Sequence, residues 1–432
     1  MRVCVYGLWH LGTVTAACTA AAGHTVIGLD ENEATVNDLR NGKPPVAEPG
    51  LGALVAAELA TGRLGFTIEA AEAVRDAEVL WIAFDTPVDR TDRADTEFVR
   101  SRVAKLLPRL PPGCVVLISS QMPVGTTAGL EAEAARRCPD LHLAFAVSPE
   151  NLRLGKALEV FQNPDRVVIG TRNAVGRPIL EKLFRPITER IEWMSVESAE
   201  MTKHAINAFL AISVTFINEL AVLCEKVGAD AKEVERGLKT ESRIGPRAYL
   251  GPGAAFAGGT LGRDLQFLDH LGKTHQTPLY LVAGAQKSNR AHKDWSFRRV
   301  VGVLHNLEGL TIAVWGLTYK PGTNTLRRSL AIELCRKLRA RGAVIRAYDP
   351  ALERLPSTLA REITLTRSAE ESLEGASALI VATEWPVFRQ IPAGILKASM
   401  RRALVIDASR FLGNTIGLEA GIEYWSVGRV NA

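Results

Sequence analysis

Two doubly wound α/β units joined by a helical segment with a long central helix are what this sequence predicts. Short apolar runs alternate with helical stretches through residues 1–197, the alternation stops for a proline-free run at 199–227, and it resumes near Leu310. Alternation of this kind implies a parallel sheet with helices on both faces, because each crossover lays a helix on the sheet.

The elements follow in order. Arg2–Tyr6 reads as an apolar strand, residues 11–22 as a helix of small residues, and Thr25–Leu29 as a second strand ending at Asp30. Apolar runs at 79–84, 115–119 and 167–169 read as further strands of one sheet. Over 199–227 apolar residues recur with helical spacing (Ile206, Leu210, Val214, Ile217, Leu220, Leu223), so the run predicts one long helix. It is apolar on more than one face, which predicts that one face is buried by a second subunit in a homodimer. Beyond it, Thr311–Trp315, 343–347, 378–382 and 403–406 read as strands, and 330–341 as an amphipathic helix. The expected domains are 1–197, a helical middle at 198–300, and 301–432.

Composition bounds the function. A chain of 432 residues with a formal charge of +5 has too little excess basic charge to suggest nucleic acid or a membrane surface. No apolar run reads as a membrane span and no leader precedes the first strand, so a cytoplasmic protein is expected. The six cysteines are widely spaced, with no Cys-x-x-Cys pair. They read as buried thiols of a reducing compartment, and no metal is expected.

The turn Gly7-Leu8-Trp9-His10-Leu11-Gly12 lies directly between a strand and a helix. In the dinucleotide fingerprint three glycines allow a tight turn, close approach of the pyrophosphate and close helix packing. Gly7 and Gly12 keep the first and third places, and Trp9 takes the second. Asp30 closes the second strand at the expected separation, where a carboxylate accepts from a ribose 2′-hydroxyl and repels a 2′-phosphate. The cofactor predicted is NAD, on a Rossmann-like domain. Either the Trp9 side chain points off the loop and the backbone still reaches phosphate, or the site is altered. His10 reads as a loop-surface residue.

The stretch Pro252-Gly253-Ala254-Ala255-Phe256-Ala257-Gly258-Gly259-Thr260-Leu261-Gly262-Arg263-Asp264 resembles the active-site loop of the UDP-glucose/GDP-mannose dehydrogenases, which normally reads Gly-Phe-Gly-Gly-Ser-Cys-Phe-Pro-Lys-Asp. The resemblance extends over nearly the whole chain. Its pieces include Glu48-Pro49-Gly50-Leu51, Thr86-Pro87, Pro123-Val124-Gly125-Thr126-Thr127 and Ser148-Pro149-Glu150. Glu200-x-x-Lys203-x-x-x-Asn207, Arg243-Ile244-Gly245, Lys320 with Thr323 and Arg327-x-Ser329, and Thr383-Glu384-Trp385 follow in the family's order. The resemblance implies Lys203, Asn207, Asp264, Glu150 and the Thr260 position as catalytic. It places the cofactor against Gly7, Trp9, Leu11, Gly12, Asp30, Thr86 and Gln121. It places a nucleotide sugar, by expectation a UDP-sugar, against Arg153, Arg243, Tyr249, Leu250, Gly253, Gly258, Lys320 and Arg327. Independently of the family, Lys203 and Asn207 stand four apart on one helix, so both can donate to an oxygen on which negative charge develops.

Three departures touch the second half of the family's reaction. Thr260 stands for the cysteine that carries the thioester, Leu154 for a glutamate, and Gln121 for a threonine. A threonine hydroxyl has no anionic form near neutrality and needs an adjacent base to attack. The expectation is therefore one hydride transfer at a sugar alcohol, by resemblance C6, that stops at the aldehyde or returns the hydride. Full oxidation to a uronic acid by a non-covalent route and a non-catalytic nucleotide-sugar binder are the alternatives.

Overall fold

The computed structural model describes residues 1–87, 94–150, 152–172, 174–257 and 259–429. The chain divides into two compact units, Met1–Ile206 and Asn207–Ala432.

The first unit is built on eight strands: β1 (Arg2–Tyr6), β2 (Thr25–Leu29), β3 (Leu64–Thr67), β4 (Val79–Ile82), β5 (Val115–Ile118), β6 (Ala144–Val147), β7 (Val167–Thr171) and β8 (Ile191–Met194). Their order is β3-β2-β1-β4-β5-β6-β7-β8. Side chains alternate across the pleat. Val3 and Val5 therefore enter one core, under helix His10–Ala21, while Cys4 and Tyr6 enter the other. The strand order reverses between β1 and β4, where Tyr6 pairs with Leu29 on one side and Ile82 on the other. In doubly wound sheets the crevice beyond the strand C-termini at such a point is where ligands bind.

The sheet is not parallel throughout, as the sequence had suggested: β7 runs antiparallel to β6, and β8 follows β7. The segment after β6 is tied down at the C-terminal edge, where the buried Glu48 carboxylate accepts from Gly155 N at 2.8 Å and Ala157 N at 2.9 Å. The chain therefore re-enters the sheet from that edge and runs back the other way.

The helix predicted over 199–227 spans Val196–Val227. By length and composition alone it is apolar enough to cross a membrane, which corrects the expectation that no run reaches that length. Helical periodicity concealed the total, because Glu200, Lys203, Asn207 and Asn218 interrupt the apolar residues on buried faces.

In the second unit, helices Ala231–Thr240, Thr260–Thr274, Tyr280–His292 and Trp295–Leu304 precede a second sheet. Its strands are β9 (Thr311–Trp315), β10 (Val344–Tyr348), β11 (Thr364–Leu365), β12 (Ala378–Val381), β13 (Leu404–Asp407) and β14 (Glu423–Trp425). They are parallel, in the order β11-β10-β9-β12-β13-β14. This repeats the order of the first six strands. Glu225 closes the helical part onto the sheet's last turn: its carboxylate accepts from Trp295 Nε1 at 2.9 Å and Gly428 N at 3.1 Å.

The two first turns are built alike. Gly7 has φ +95° and Gly316 φ +86°, a region glycine enters without steric penalty. A Cβ on Gly7 would lie 2.5 Å from the Phe84 ring, and one on Gly316 2.3 Å from Thr383. Asp30 and Asp349 close the second strand of each sheet and accept the next amide, Leu8 N at 2.7 Å and Leu317 N at 2.7 Å. There the likeness ends. Asp349 is buried, its Oδ2 also takes Thr318 N, the Thr318 hydroxyl and Trp385 Nε1, and its Oδ1 takes Ala351 N, so burial and five donors enclose the carboxylate. The second turn is closed where the first is open.

Candidate active site

At the β1–β4 crevice, Gly7, Leu8, Trp9, Asp30, Glu31, Asn32, Phe84, Asp85, Phe98 and Arg102 line a cleft of about 460 Å³. A Cβ on Gly12 would fall 1.6 Å from Gly7 O, so the helix sits directly on the turn and no other residue fits. Asp30 Oδ1 accepts Asn32 N at 2.9 Å while Oδ2 holds Leu8 N. Each oxygen keeps a second lone pair for a ribose hydroxyl. Trp9 has φ −80°, an ordinary value for an L-residue, and its indole is exposed on the cleft wall. The backbone path of the fingerprint is therefore intact. These residues fit the dinucleotide that the turn implies: a glycine cradle, a helix N-terminus and a ribose acid.

His10 is not a surface residue, as its sequence context had suggested. Its Nε2 meets Glu48 Oε2 at 2.9 Å, with the imidazole largely buried. Burial works to raise the Glu48 carboxyl, but the Gly155 and Ala157 amides and His10 outweigh it and hold the group below its ordinary value. Glu48 thereby ties the dinucleotide turn to the strand-edge segment.

The ends of β5 and β6 carry the second group of residues. The Thr86 hydroxyl donates to Gln121 O at 2.9 Å, fixing the Thr-Pro segment against the chain after β5. Lys203 Nζ, nearly buried, donates to Glu150 O at 2.5 Å and lies 3.6 Å from Glu150 Oε1. Glu150 Oε2 accepts Leu152 N at 2.7 Å. Glu200, one turn before Lys203, takes Gly125 N at 2.7 Å, Thr127 N at 3.1 Å and the Thr127 hydroxyl at 2.6 Å, capping helix Thr126–Arg137. Gln121, Met122, Glu150, Lys203 and His204 help line a small cavity of about 20 Å³, space for about one water molecule. The Arg153 side chain is exposed.

In the second unit, Asn207 Nδ2 donates to Asp264 Oδ2, and Asp264 is fully buried. Thr260 is the exposed first residue of helix Thr260–Thr274, whose N-cap Gly259 has φ +95° and ψ −129°. A Cβ on Gly259 would lie 3.8 Å from both Arg328 Nη1 and Tyr319 Oη. Burial, then the neighbouring Tyr249, raises the Tyr319 phenol above its ordinary value, so it supplies no base for a neighbouring hydroxyl at neutral pH.

The loop before Thr260 is pinned rather than floppy. Buried Asn218 accepts Gly253 N at 2.9 Å and donates to Ala254 O at 3.3 Å. Asn289 accepts Phe256 N at 3.0 Å and donates to Phe256 O at 2.8 Å. His292 Nε2 meets Gly253 O at 2.8 Å. Gly253 itself abuts Ser409, 3.0 Å from where a Cβ would stand. None of these four partners was read from the sequence. The only available signal was polar residues at positions that helical spacing makes buried.

The remaining expected substrate residues are less gathered. Leu250 is buried, Tyr249 exposed, and Arg243 is exposed and paired with Glu241 at 2.9 Å. Lys320 and Arg327 belong to one turn in which Tyr319 N reaches Thr325 O at 2.8 Å. Gly258 lies outside the described residues. The six cysteines are reduced, and five are buried. Burial pushes the Cys18, Cys114 and Cys335 thiols up to about 12 and the Cys4 thiol higher still, which keeps these four inert.

Against known proteins, residues 1–188 match the NAD binding domain of the UDP-glucose/GDP-mannose dehydrogenase family, 197–291 its central domain, and 313–414 its UDP binding domain. The chain is 34% identical to a UDP-glucose 6-dehydrogenase of Pseudomonas aeruginosa, covering 100% of this chain and 98% of the relative. It is 34% identical to one of Rhizobium meliloti, covering 99% and 100%. Among solved structures, a UDP-glucose dehydrogenase from Pyrobaculum islandicum superposes with a TM-score of 0.88 at 28% identity, over 100% of this chain and 98% of that one.

Proposed function

The chain belongs to the UDP-glucose/GDP-mannose dehydrogenase family, and on that premise we propose that it performs one reversible hydride transfer on a UDP-sugar. It is an NAD-dependent nucleotide-sugar oxidoreductase by family. The narrower reading is that oxidation of the C6 alcohol stops at the aldehyde, or that the hydride is returned to give an isomer. The observation that carries this reading is Thr260, a hydroxyl at the exposed head of its helix where the family's motif carries a thiol. A thioester cannot form on oxygen, and a Thr260 alkoxide needs a base that the loop's described residues do not offer.

When bound, NAD supplies the hydride acceptor. The alcohol's C6–H electron pair leaves as hydride, its O–H bond breaks, and a C=O forms. Glu150 Oε1, beside Lys203, receives the hydroxyl proton. The Lys203 ammonium, held by Glu150 O, donates to the oxygen as its negative charge grows. The Asn207 amide is oriented by Asp264, and Nδ2 keeps a second hydrogen for substrate. Asp30 would hold the adenosine ribose, and the amides of the Gly7–Gly12 turn the pyrophosphate. Lys320 and Arg327 are suited to the UDP phosphates, with Leu250 and Gly253 along the loop. Arg153, Arg243 and Tyr249 carry exposed side chains that a substrate can recruit. The exposed Phe209, Phe216, Leu223 and Val227 on the long helix support a homodimer through that face.

The deciding experiment incubates purified protein with NAD and UDP-glucose, counts NADH per sugar and identifies products by mass. At most one NADH, with an aldehyde trapped as its hydrazone or an isomeric sugar, is expected. Two NADH with a uronic acid would overturn the reading. That second outcome has its own support in the water-sized cavity at Lys203 and Glu150, which has room for the one water needed to hydrate an aldehyde without a covalent adduct.

A further inference from the structure

The carboxylate of Asp85 occupies part of the position that a dinucleotide pyrophosphate requires. Asp85 Oδ2 accepts the Leu11 amide at 3.1 Å, and Leu11 is the second residue of helix His10–Ala21. Amides in the first turn of a helix have no partner within it, and together with the helix dipole they form the anion position of this fold. A side-chain anion already sits there. The backbone on either side of it is fixed: Phe84 packs on Gly7 and stacks edge-on with Tyr6 at 4.7 Å, and Thr86 bonds to Gln121 O. The Asp85 side chain itself is exposed to solvent. Among the described residues that line the cleft, the carboxylates Asp30, Glu31 and Asp85 outnumber the one guanidinium, Arg102.

We infer that Asp85 is a displaceable internal anion that competes with the cofactor's pyrophosphate for the head of this helix and so sets the affinity for NAD. The inference rests on the reading that NAD enters this cleft, and it adds a determinant that the fingerprint does not contain. Asp85 acts on the cofactor's phosphates and not on the adenosine, so its effect must depend on the ligand carrying a pyrophosphate.

The test is equilibrium binding, with no turnover. Dissociation constants for adenosine, ADP-ribose and NAD are measured by calorimetry on the full chain and on its D85N and D85G variants, with thermal midpoints alongside. Replacing the charge is expected to tighten ADP-ribose and NAD by about tenfold, leaving adenosine and the thermal midpoint nearly unchanged. D85N removes the charge but keeps an acceptor for Leu11 N, so it answers even if D85G loosens the loop. Unchanged or weaker ADP-ribose binding in both variants overturns the inference. So does an equal gain for adenosine, which would place the effect on the nucleoside pocket. Absence of ADP-ribose binding in every form also overturns it. NADH production from UDP-glucose is scored separately, so loss of this inference leaves the proposed reaction standing or falling on its own assay.

Discussion

Thr260 and Lys203 make opposite predictions, and the difference separates one hydride from two. If the hydroxyl carries no intermediate, Thr260→Ala should change kcat for the first hydride transfer by less than about threefold, since no reacting bond passes through it. Lys203→Ala removes a nearly buried ammonium that the proposed reaction uses as donor to the reacting oxygen, and should lower kcat by about 10²–10⁴-fold. Initial rates of NADH formation check both. Lys203, Asn207 and Asp264 could be singled out as candidates in the sequence because helix spacing and motif order are local signals. Asp85 was not, because its partner Leu11 is 74 positions away and nothing near Asp85 announces it. Glu48 was quoted only as a motif letter. Its work, joining His10, Gly155 and Ala157, spans up to 109 positions.

At the scale of elements, the turn and the loop hold their shapes by different means. The turn depends on the absence of a side chain. Gly12→Ala puts a methyl into Gly7 O and should destabilise the first unit by roughly 2–3 kcal/mol, read as a lower thermal midpoint with loss of ADP-ribose binding. The loop depends on buried amides and one imidazole. Burial, opposed by the Gly253 carbonyl, holds His292 below the ordinary histidine value, so the unfolded chain takes up a proton more readily than the folded one. The stability His292 contributes is present above about pH 6.5 and falls with acidification at up to about 1.4 kcal/mol per pH unit until the folded imidazole itself protonates. Urea unfolding from pH 7.5 to 5 should show this slope, and His292→Gln should flatten it. The sequence showed a glycine-rich loop but not its rigidity, because Asn218, Asn289 and His292 lie 33 to 39 positions away on other helices.

At the scale of the whole chain, one strand order is used twice and only one first turn is left open. The proposed dimer is a property of this scale. Phe209, Phe216 and Leu223 recur every seven residues on the long helix and are exposed, so Phe216→Asp should shift the mass by light scattering from dimer to monomer if that face is the interface. A monomeric wild-type protein would refute it.

Alternating strands and helices, the glycines of the first turn, Asp30 and the long helix were fixed by the sequence alone, because periodicity and backbone freedom act over a few residues. Tertiary structure decided the direction of β7, the enclosure of Asp349 by five donors and the seating of Asp85 on Leu11. Each of these depends on which distant polar groups are brought within hydrogen-bond reach. Only the folded chain determines that, because a buried donor or acceptor must find its partner wherever the packing puts one.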